Sequence, residues 1–290
     1  MAQFFLYLPQ MRMEFDTLVE RARVAESAGF YGLGLMDHLA PPLAEAQPMH
    51  DAMVTAAWVL AHTERLRVGH LVLCDAFRHP AVLAKQVVGL DRASGGRFEL
   101  GLGWGSVPAE FERFGVMTTE PAVRIARMTE TLEVVKALWT GEPVTYKGKF
   151  HELREAHQTP TPLGKIPIVI GGARKKTLAL VAQHADWWNL PAPAVDRVDE
   201  LRDQIGAAGI SIQQQVTFIP DEEQRASITE TATRRFGGMG SGPTIGNGEE
   251  LRTYFSGKIS QGIDRFYVWF TDFAKPETVQ AFGKEVISSL

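Results

Sequence analysis

Residues 167–189 read Pro-Ile-Val-Ile-Gly-Gly-Ala-Arg-Lys-Lys-Thr-Leu-Ala-Leu-Val-Ala-Gln-His-Ala-Asp-Trp-Trp-Asn. Ile168–Ile170 is a short apolar run of the kind that forms a buried parallel strand. Gly171 and Gly172 follow without a spacer, and a helical pattern then opens with Leu178, Val181 and Ala182 on one face. Trp187–Leu190 reads as the next strand. A strand, a Gly-Gly turn and a helix start also form a device for holding an anion. Backbone N–H groups at a helix start lack intrahelical partners, and the helix dipole adds roughly half a positive charge. Glycine lets an anion approach the backbone closely, and Arg174, Lys175 and Lys176 add full positive charge beside it. An ordinary strand-to-helix turn with exposed basic residues would use the same letters. We read the segment as a seat for a phosphorylated cofactor.

The same alternation extends in both directions. Strands are expected at Phe4–Leu8, Gly32–Met36, Val68–Leu73, Phe98–Leu102, Ile168–Ile170, Trp187–Leu190, Gln214–Ile219 and Arg265–Phe270. Helices are expected at Phe15–Ala28, Asp51–His62, Pro80–Arg92, Pro108–Phe114, Ala122–Leu138, Val195–Ala207, Glu222–Arg234, Glu249–Gln261 and Pro276–Leu290, besides the one after Gly172. Glu142–Leu153 reads as a hairpin insert with Lys147-Gly148 at its turn. Eight strands, each followed by helix, imply a parallel sheet, and eight such units in one chain of this length make a (β/α)8 barrel. A doubly wound open sheet is the alternative, but its Gly-x-Gly-x-x-Gly signature after the first strand is missing. Phe236–Gly248 holds six glycines and reads as a mobile loop. No linker composition interrupts the chain, so residues 1–290 are expected to form a single barrel domain.

Composition bounds the partners. The chain has 290 residues, 45% hydrophobic and 22% charged, with net charge −4. These are values of an ordinary globular protein, and wholesale electrostatic binding of nucleic acid is not expected. Cys74 is the single cysteine, so an intramolecular disulfide and a cysteine-based metal cluster are both excluded. That fits a reducing, cytoplasmic setting. No basic region precedes Phe4–Leu8, which therefore does not read as a signal peptide, and no apolar run is long enough to span a membrane.

In a (β/α)8 barrel, chemistry is done at the C-terminal ends of the strands. After the second strand come Asp37 and His38. A histidine there can act as acid or base near neutral pH, or simply hydrogen-bond the loop backbone. Asp37 would fix the tautomer of His38 or cap the loop. After the third strand, Cys74 and Asp75 sit at the mouth, Cys74 reading first as a small buried hydrophobe. His79-Pro80 reads as a helix entry. After the fourth strand, Gly101, Gly103 and Gly105 alternate. They admit either a flat ring or tight barrel packing, and Trp104 offers a stacking wall. Glu110 reads as solvent-facing. Asn189, after the sixth strand, offers a donor and an acceptor to a heterocycle edge, or is satisfied by backbone. Nucleophile-elbow, Walker and His-Glu-x-x-His signatures are missing, and nothing supports a metal site.

Taken together these segments resemble the bacterial-luciferase-like flavin and deazaflavin oxidoreductases. The matching pieces are Gly34–His38, Arg78-His79-Pro80 with Leu83–Gln86, Asp91–Arg97 leading into Glu99–Gly103, Ala137–Gly141, Ile170–Gly172, Ala185–Asn189 and Gly262–Phe266. The middle and C-terminal segments look most like the branch that uses coenzyme F420, a 5-deazaflavin. The resemblance implies a cofactor at the barrel mouth, with its phosphate at Gly171, Gly172, Ala173 and Arg174. It implies a ring backed by a non-prolyl cis peptide after the third strand, expected at Cys74-Asp75 or else Leu73-Cys74. It also implies a proton-handling role for His38, with Asp37, Cys74, Asp75, Trp104 and Asn189 around the cofactor. Some relatives carry a catalytic Glu where this chain has Trp104, which leaves acid–base work to His38 or Glu110 and leaves a binding-only relative as a further alternative. The implied activity is hydride transfer between F420 and a small organic substrate; the alternative is an FMN-dependent monooxygenase. A homodimer is an expectation by analogy.

Overall fold

The structure, a computed structural model, describes residues 2–42, 44–116, 120–239 and 242–290. The first half comprises β1 (Gln3–Tyr7), α1 (Phe15–Ser27), β2 (Gly32–Leu35), α2 (Ala52–His62), β3 (Arg67–His70), the two-residue β4 (Leu73–Cys74), α3 (Pro80–Ala93), β5 (Phe98–Gly103), α4 (Pro108–Arg113) and α5 (Pro121–Leu138). The hairpin β6 (Val144–Lys147) and β7 (Glu152–Ala156) follows. The second half comprises β8 (Ile168–Gly171), α6 (Lys175–His184), β9 (Trp187–Leu190), α7 (Val198–Leu201), β10 (Gly209–Phe218), α8 (Arg225–Phe236), β11 (Thr244–Gly246), α9 (Gly248–Ser260), β12 (Arg265–Phe270) and α10 (Pro276–Glu285).

Strands β1, β2, β3, β5, β8, β9, β10 and β12 pair in parallel, and the β9–β10 pairing closes them into a barrel. The expected (β/α)8 architecture and hairpin insert are therefore present. Three segments differ. The helix expected at 195–207 is broken into short 3-10 and α turns, and β10 starts at Gly209 rather than Gln214. Part of the Gly-rich 236–248 segment is strand, since Thr244–Gly246 pairs in parallel with Val216–Phe218; residues 240–241 lie outside the described residues. The third strand ends early, for a reason that shapes the site.

Gly69 of β3 faces Glu99, and Leu73 of β4 faces Leu102, so the β3–β4 chain carries one residue more than β5 over the same span. That is a bulge, centred on His70–Val72, and the cis peptide lies within it at Leu71-Val72. The expected positions, Cys74-Asp75 and Leu73-Cys74, are corrected by two to three residues because Leu73 and Cys74 have returned to regular pairing. The glycines of β5 make room for the bulge. A Cβ on Gly101 would meet the His70 carbonyl oxygen at 1.7 Å, and one on Gly103 would meet Val72 Cγ2 at 2.5 Å. Tight packing is thus the use of Gly101 and Gly103.

The barrel is filled in layers. At its N-terminal end Arg265 of β12 donates to both Glu99 oxygens and to Gln3, while Arg67 Nε donates to Glu99 at 2.7 Å. The Arg265 guanidinium lies between the rings of Phe5 (4.4 Å) and Trp187 (3.9 Å). Phe5, Tyr7 and Tyr267 form the next layer. The main apolar core lies outside, where faces such as Leu18, Ala22 and Ala25 of α1 cover the strands. The N-terminal end is plugged, and the C-terminal end is left for a ligand.

His70 predicts an acid limit to this packing. Its ring is buried, Nε2–H donates to the Ala52 carbonyl at 3.0 Å, and burial pushes its pKa down to about 4. An unfolded histidine titrates near its ordinary value, so between about pH 6.5 and 4 the unfolded chain binds a proton that the folded chain refuses. Stability from this group is complete above that window and is lost as pH falls through it, amounting to about 3 kcal/mol. Denaturant titrations at neutral and acid pH should show the loss, and His70→Gln should flatten it. The flattening is partial, because His151 is pushed down to about 4 by burial as well. An unchanged pH slope in the variant would remove His70 from the account.

Candidate active site

A cavity of about 530 Å³ opens at the C-terminal end of the barrel. Its walls come from four places: the β2 end (Met36–His38), the bulge (Leu71–Cys74), the β5 end with α4 and α5 (Trp104, Glu110, Arg124), and the turn before α6 (Gly171–Arg174) with Asn189. Of the expected residues, Asp37, His38, Cys74, Trp104, Gly171, Gly172, Ala173, Arg174 and Asn189 all line it. A larger cleft of about 610 Å³ lies at the opposite end, beside Ile166, Ile168 and Asp186 at the starts of β8 and β9. The mouth, where strand ends converge, is the end with the chemistry.

His38 is held by a residue that sequence reading turned toward solvent. Glu110, third residue of α4, is 8% exposed, and its Oε2 lies 3.0 Å from His38 Nδ1. Glu110 Oε1 also accepts from the amides of Leu39 (2.5 Å) and Ala40 (3.4 Å). Pro108 starts α4 and Phe111 is buried beneath it, so the first turn of this short helix aims Glu110 inward. An acceptor at Nδ1 fixes the tautomer with Nδ1–H toward Glu110. Nε2 is left without a hydrogen-bond partner among the described residues, and His38 lines the cavity.

Asp37 does not set that tautomer. Its two oxygens accept from Arg78 (2.5 and 3.0 Å), and Oδ2 accepts the Cys74 amide at 2.7 Å. This bidentate pair ties the β2 end to the loop after β4. Gln10, fully buried, ties the other side by bonding the Met36 carbonyl (2.5 Å) and amide (3.1 Å). Cys74 is a buried wall of the cavity, as expected of a small hydrophobe; burial pushes its thiol up to about 12, so it stays protonated at neutral pH. Asp75 is corrected. It is 2% exposed, does not line the cavity, and pairs with Arg127 of α5, which also donates to the Asp75 carbonyl at 2.7 Å. The 3-10 turn at Asp75–Phe77 points the carboxylate outward against α5. The helix entry at His79-Pro80 is present, with the His79 ring accepting from Ala81.

The turn at Gly171–Arg174 is tied to β9 by hydrogen bonds. Gly172 donates its amide to the Asn189 carbonyl at 3.0 Å, and Trp188 Nε1 donates to the Gly172 carbonyl at 2.7 Å. Gly172 has φ +132°, a backbone conformation that favours glycine. Among the described residues, no side chain caps the α6 N-terminus. The Asn189 side chain accepts from Ser211 Oγ at 3.2 Å. Trp104 Nε1 donates to Thr177 Oγ1 at 3.3 Å, so Trp104 walls the cavity beside the turn. Among the described residues, no cluster of three or more His, Cys, Asp or Glu side chains is placed to hold a metal ion, and no helix is long and apolar enough to cross a membrane.

Comparison with known proteins places this chain in a family. The model of the luciferase-like monooxygenases matches residues 2–235. The F420-dependent glucose-6-phosphate dehydrogenase of Microbacterium testaceum is 32% identical over 172 residues, 59% of this chain and 51% of that one. The FMNH(2)-dependent dimethylsulfone monooxygenase of Pseudomonas fluorescens is 28% identical over 197 residues, 66% of this chain and 53% of that one. The chain thus spans about half the length of these two relatives. The structure of an F420-dependent secondary alcohol dehydrogenase in complex with an F420-acetone adduct superposes with a TM-score of 0.85 over 100% of this chain and 99% of that one. Sequence identity there is 17%, so that likeness is one of fold. The chain belongs to the luciferase-like monooxygenase family.

Proposed function

We propose that the chain is an F420-dependent oxidoreductase that moves a hydride between the deazaflavin and a small organic substrate. The observation that carries the reading is the buried Glu110–His38 pair in the same cavity as the Gly171–Arg174 turn. Hydride removal from a hydroxyl-bearing carbon also releases a proton, and the pair is built to take one.

The residues present fit such a cofactor. Gly171 and Gly172 leave the turn open, with Ala173 and Arg174 completing it, and would hold the phosphate. Leu71–Cys74, bulged over Gly101 and Gly103, would back the ring. Trp104 and Asn189 would flank it. Bound there, the deazaflavin supplies a carbon that accepts or donates a hydride. His38 Nε2 takes the substrate's hydroxyl proton, or returns it in the reverse direction. Glu110 holds the ring in position and stabilises the imidazolium by its charge. Asp37, through Arg78 and the Cys74 amide, keeps the β2 end and the bulge in register.

The FMN-dependent monooxygenase remains the second reading, supported by the FMNH(2)-dependent relative that matches 66% of the chain. A tryptophan-quenching titration of the apoprotein with F420 and, separately, with FMN decides between them. Trp104 in the cavity wall is the expected reporter. Micromolar or tighter F420 binding, with FMN at least about tenfold weaker, is the expected result. The reverse order, with oxygen uptake on adding reduced FMN, would select the monooxygenase. Binding of neither would sink both.

A further inference from the structure

Arg124 of α5 is used by nothing described above. It is 8% exposed, lines the cavity, and its guanidinium stacks on Trp104 (4.9 Å) and Phe111 (5.1 Å). Its Nη1 reaches the Gly105 carbonyl only at 3.4 Å, and its Nε is buried with no hydrogen-bond partner. Among the described residues no carboxylate lies within ion-pair reach. The other buried arginine of the barrel, Arg265, shows the contrast: it is stacked between two rings and also saturated by Glu99 and Gln3. A guanidinium that is always charged, withdrawn from water and left with spare donors calls for an anion from outside the chain. The two rings beneath it hold the fork flat and limit its rotamers. Arg174, exposed on the same wall, lies over Trp104 as well, at 5.7 Å.

We infer that Arg124 is a second, buried anion seat of this cavity, taking a phosphoryl or carboxylate oxygen of a bound ligand. This rests on the cofactor reading above, and deepens it. The Gly171–Arg174 turn takes one oxyanion at the surface, and Arg124 takes an oxyanion inside. Arg124 stacks on both Trp104, bonded to Thr177 beside the phosphate turn, and Phe111, next to Glu110. It therefore stands between the phosphate turn and the proton-handling pair. The oxyanion comes either from the cofactor's own phosphate and acidic tail or from an anionic substrate.

The test compares wild type with Arg124→Met, which keeps the aliphatic stem, and Arg124→Lys, which keeps the charge without the fork. F420, the same deazaflavin without phosphate, and inorganic phosphate are titrated separately, the last also onto F420-loaded protein. If the cofactor supplies the oxyanion, R124M weakens F420 about 10–100-fold and leaves the phosphate-free deazaflavin unchanged. If the substrate supplies it, both cofactor affinities stay at wild type, and the rise in melting midpoint that phosphate produces in the loaded protein is lost in R124M. R124K should fall between the two in either case. Apo R124M should melt close to wild type, because the change removes the ring stacking and the long Gly105 contact but no ion pair. Wild-type affinities for all three ligands in R124M would overturn the inference, as would a lowered apo midpoint with unchanged binding, which marks a merely structural arginine. Failure of wild type to bind either deazaflavin would instead overturn the cofactor reading, and the phosphate arm on apoprotein would still judge Arg124.

Discussion

His38→Ala is expected to lower F420-linked turnover by about two to four orders of magnitude while changing cofactor affinity by no more than about twofold. The argument is geometric. His38 lines the cavity with Nδ1 held 3.0 Å from Glu110, and neither residue belongs to the turn that would hold the phosphate. Glu110→Gln should lose less, about 10–100-fold, because the amide still accepts from Leu39 and Ala40 but no longer stabilises an imidazolium. The pair should also be non-additive: once His38 is alanine, Glu110→Gln should cost little more. Single-turnover spectroscopy of the deazaflavin, with a parallel binding titration, separates the effects. Equal turnover in His38→Ala would remove the pair from the mechanism.

Glu99→Leu should have the largest effect on stability. Glu99 is 1% exposed and serves two arginines, and Arg265 is also 1% exposed. Removing the carboxylate leaves the Arg265 charge clamped between Phe5 and Trp187 with Gln3 as its remaining strong acceptor. Breaking one side of a buried ion pair typically costs about 3–5 kcal/mol. For a chain of 290 residues that lowers the melting midpoint by roughly 5–8 °C. Arg67 is less affected, since its side chain is partly exposed and can be rehydrated. Combining Glu99→Leu with Arg265→Met should restore much of the loss, because the uncompensated charge is gone. A single variant as stable as wild type would mean that the barrel floor relaxes far more than its stacked geometry implies.

Local signals carried the architecture because each is written within one element. The apolar runs at Phe4–Leu8, Ile168–Ile170 and Arg265–Phe270 are strands buried on both faces. Pro80, Pro108 and Pro276 stand in the first turns of their helices, and Lys147 ends the first hairpin strand with Gly148 next. The segment expected to be helix at 195–207 failed because α7 keeps only one short turn between 3-10 pieces, while Gly209–Ile212 is drawn into the sheet between β9 and β12. Propensity there lost to pairing.

The site was legible as a set of strand ends and not as a set of partners. The sequence by itself determined the closed parallel barrel and put His38, Cys74, Trp104, Gly171–Arg174 and Asn189 at its mouth, since topology alone sends the end of every strand to one face. Three things were decided only by tertiary structure. Glu110 rather than Asp37 orients His38, although the partners are 72 residues apart. Asp75 turns to Arg127, and Arg124 is buried on Trp104 and Phe111. The bulge shifts the cis peptide to Leu71-Val72 and gives Gly101 and Gly103 their purpose. Side-chain pairing of this kind depends on distances between elements far apart in the chain, and no local period records those distances.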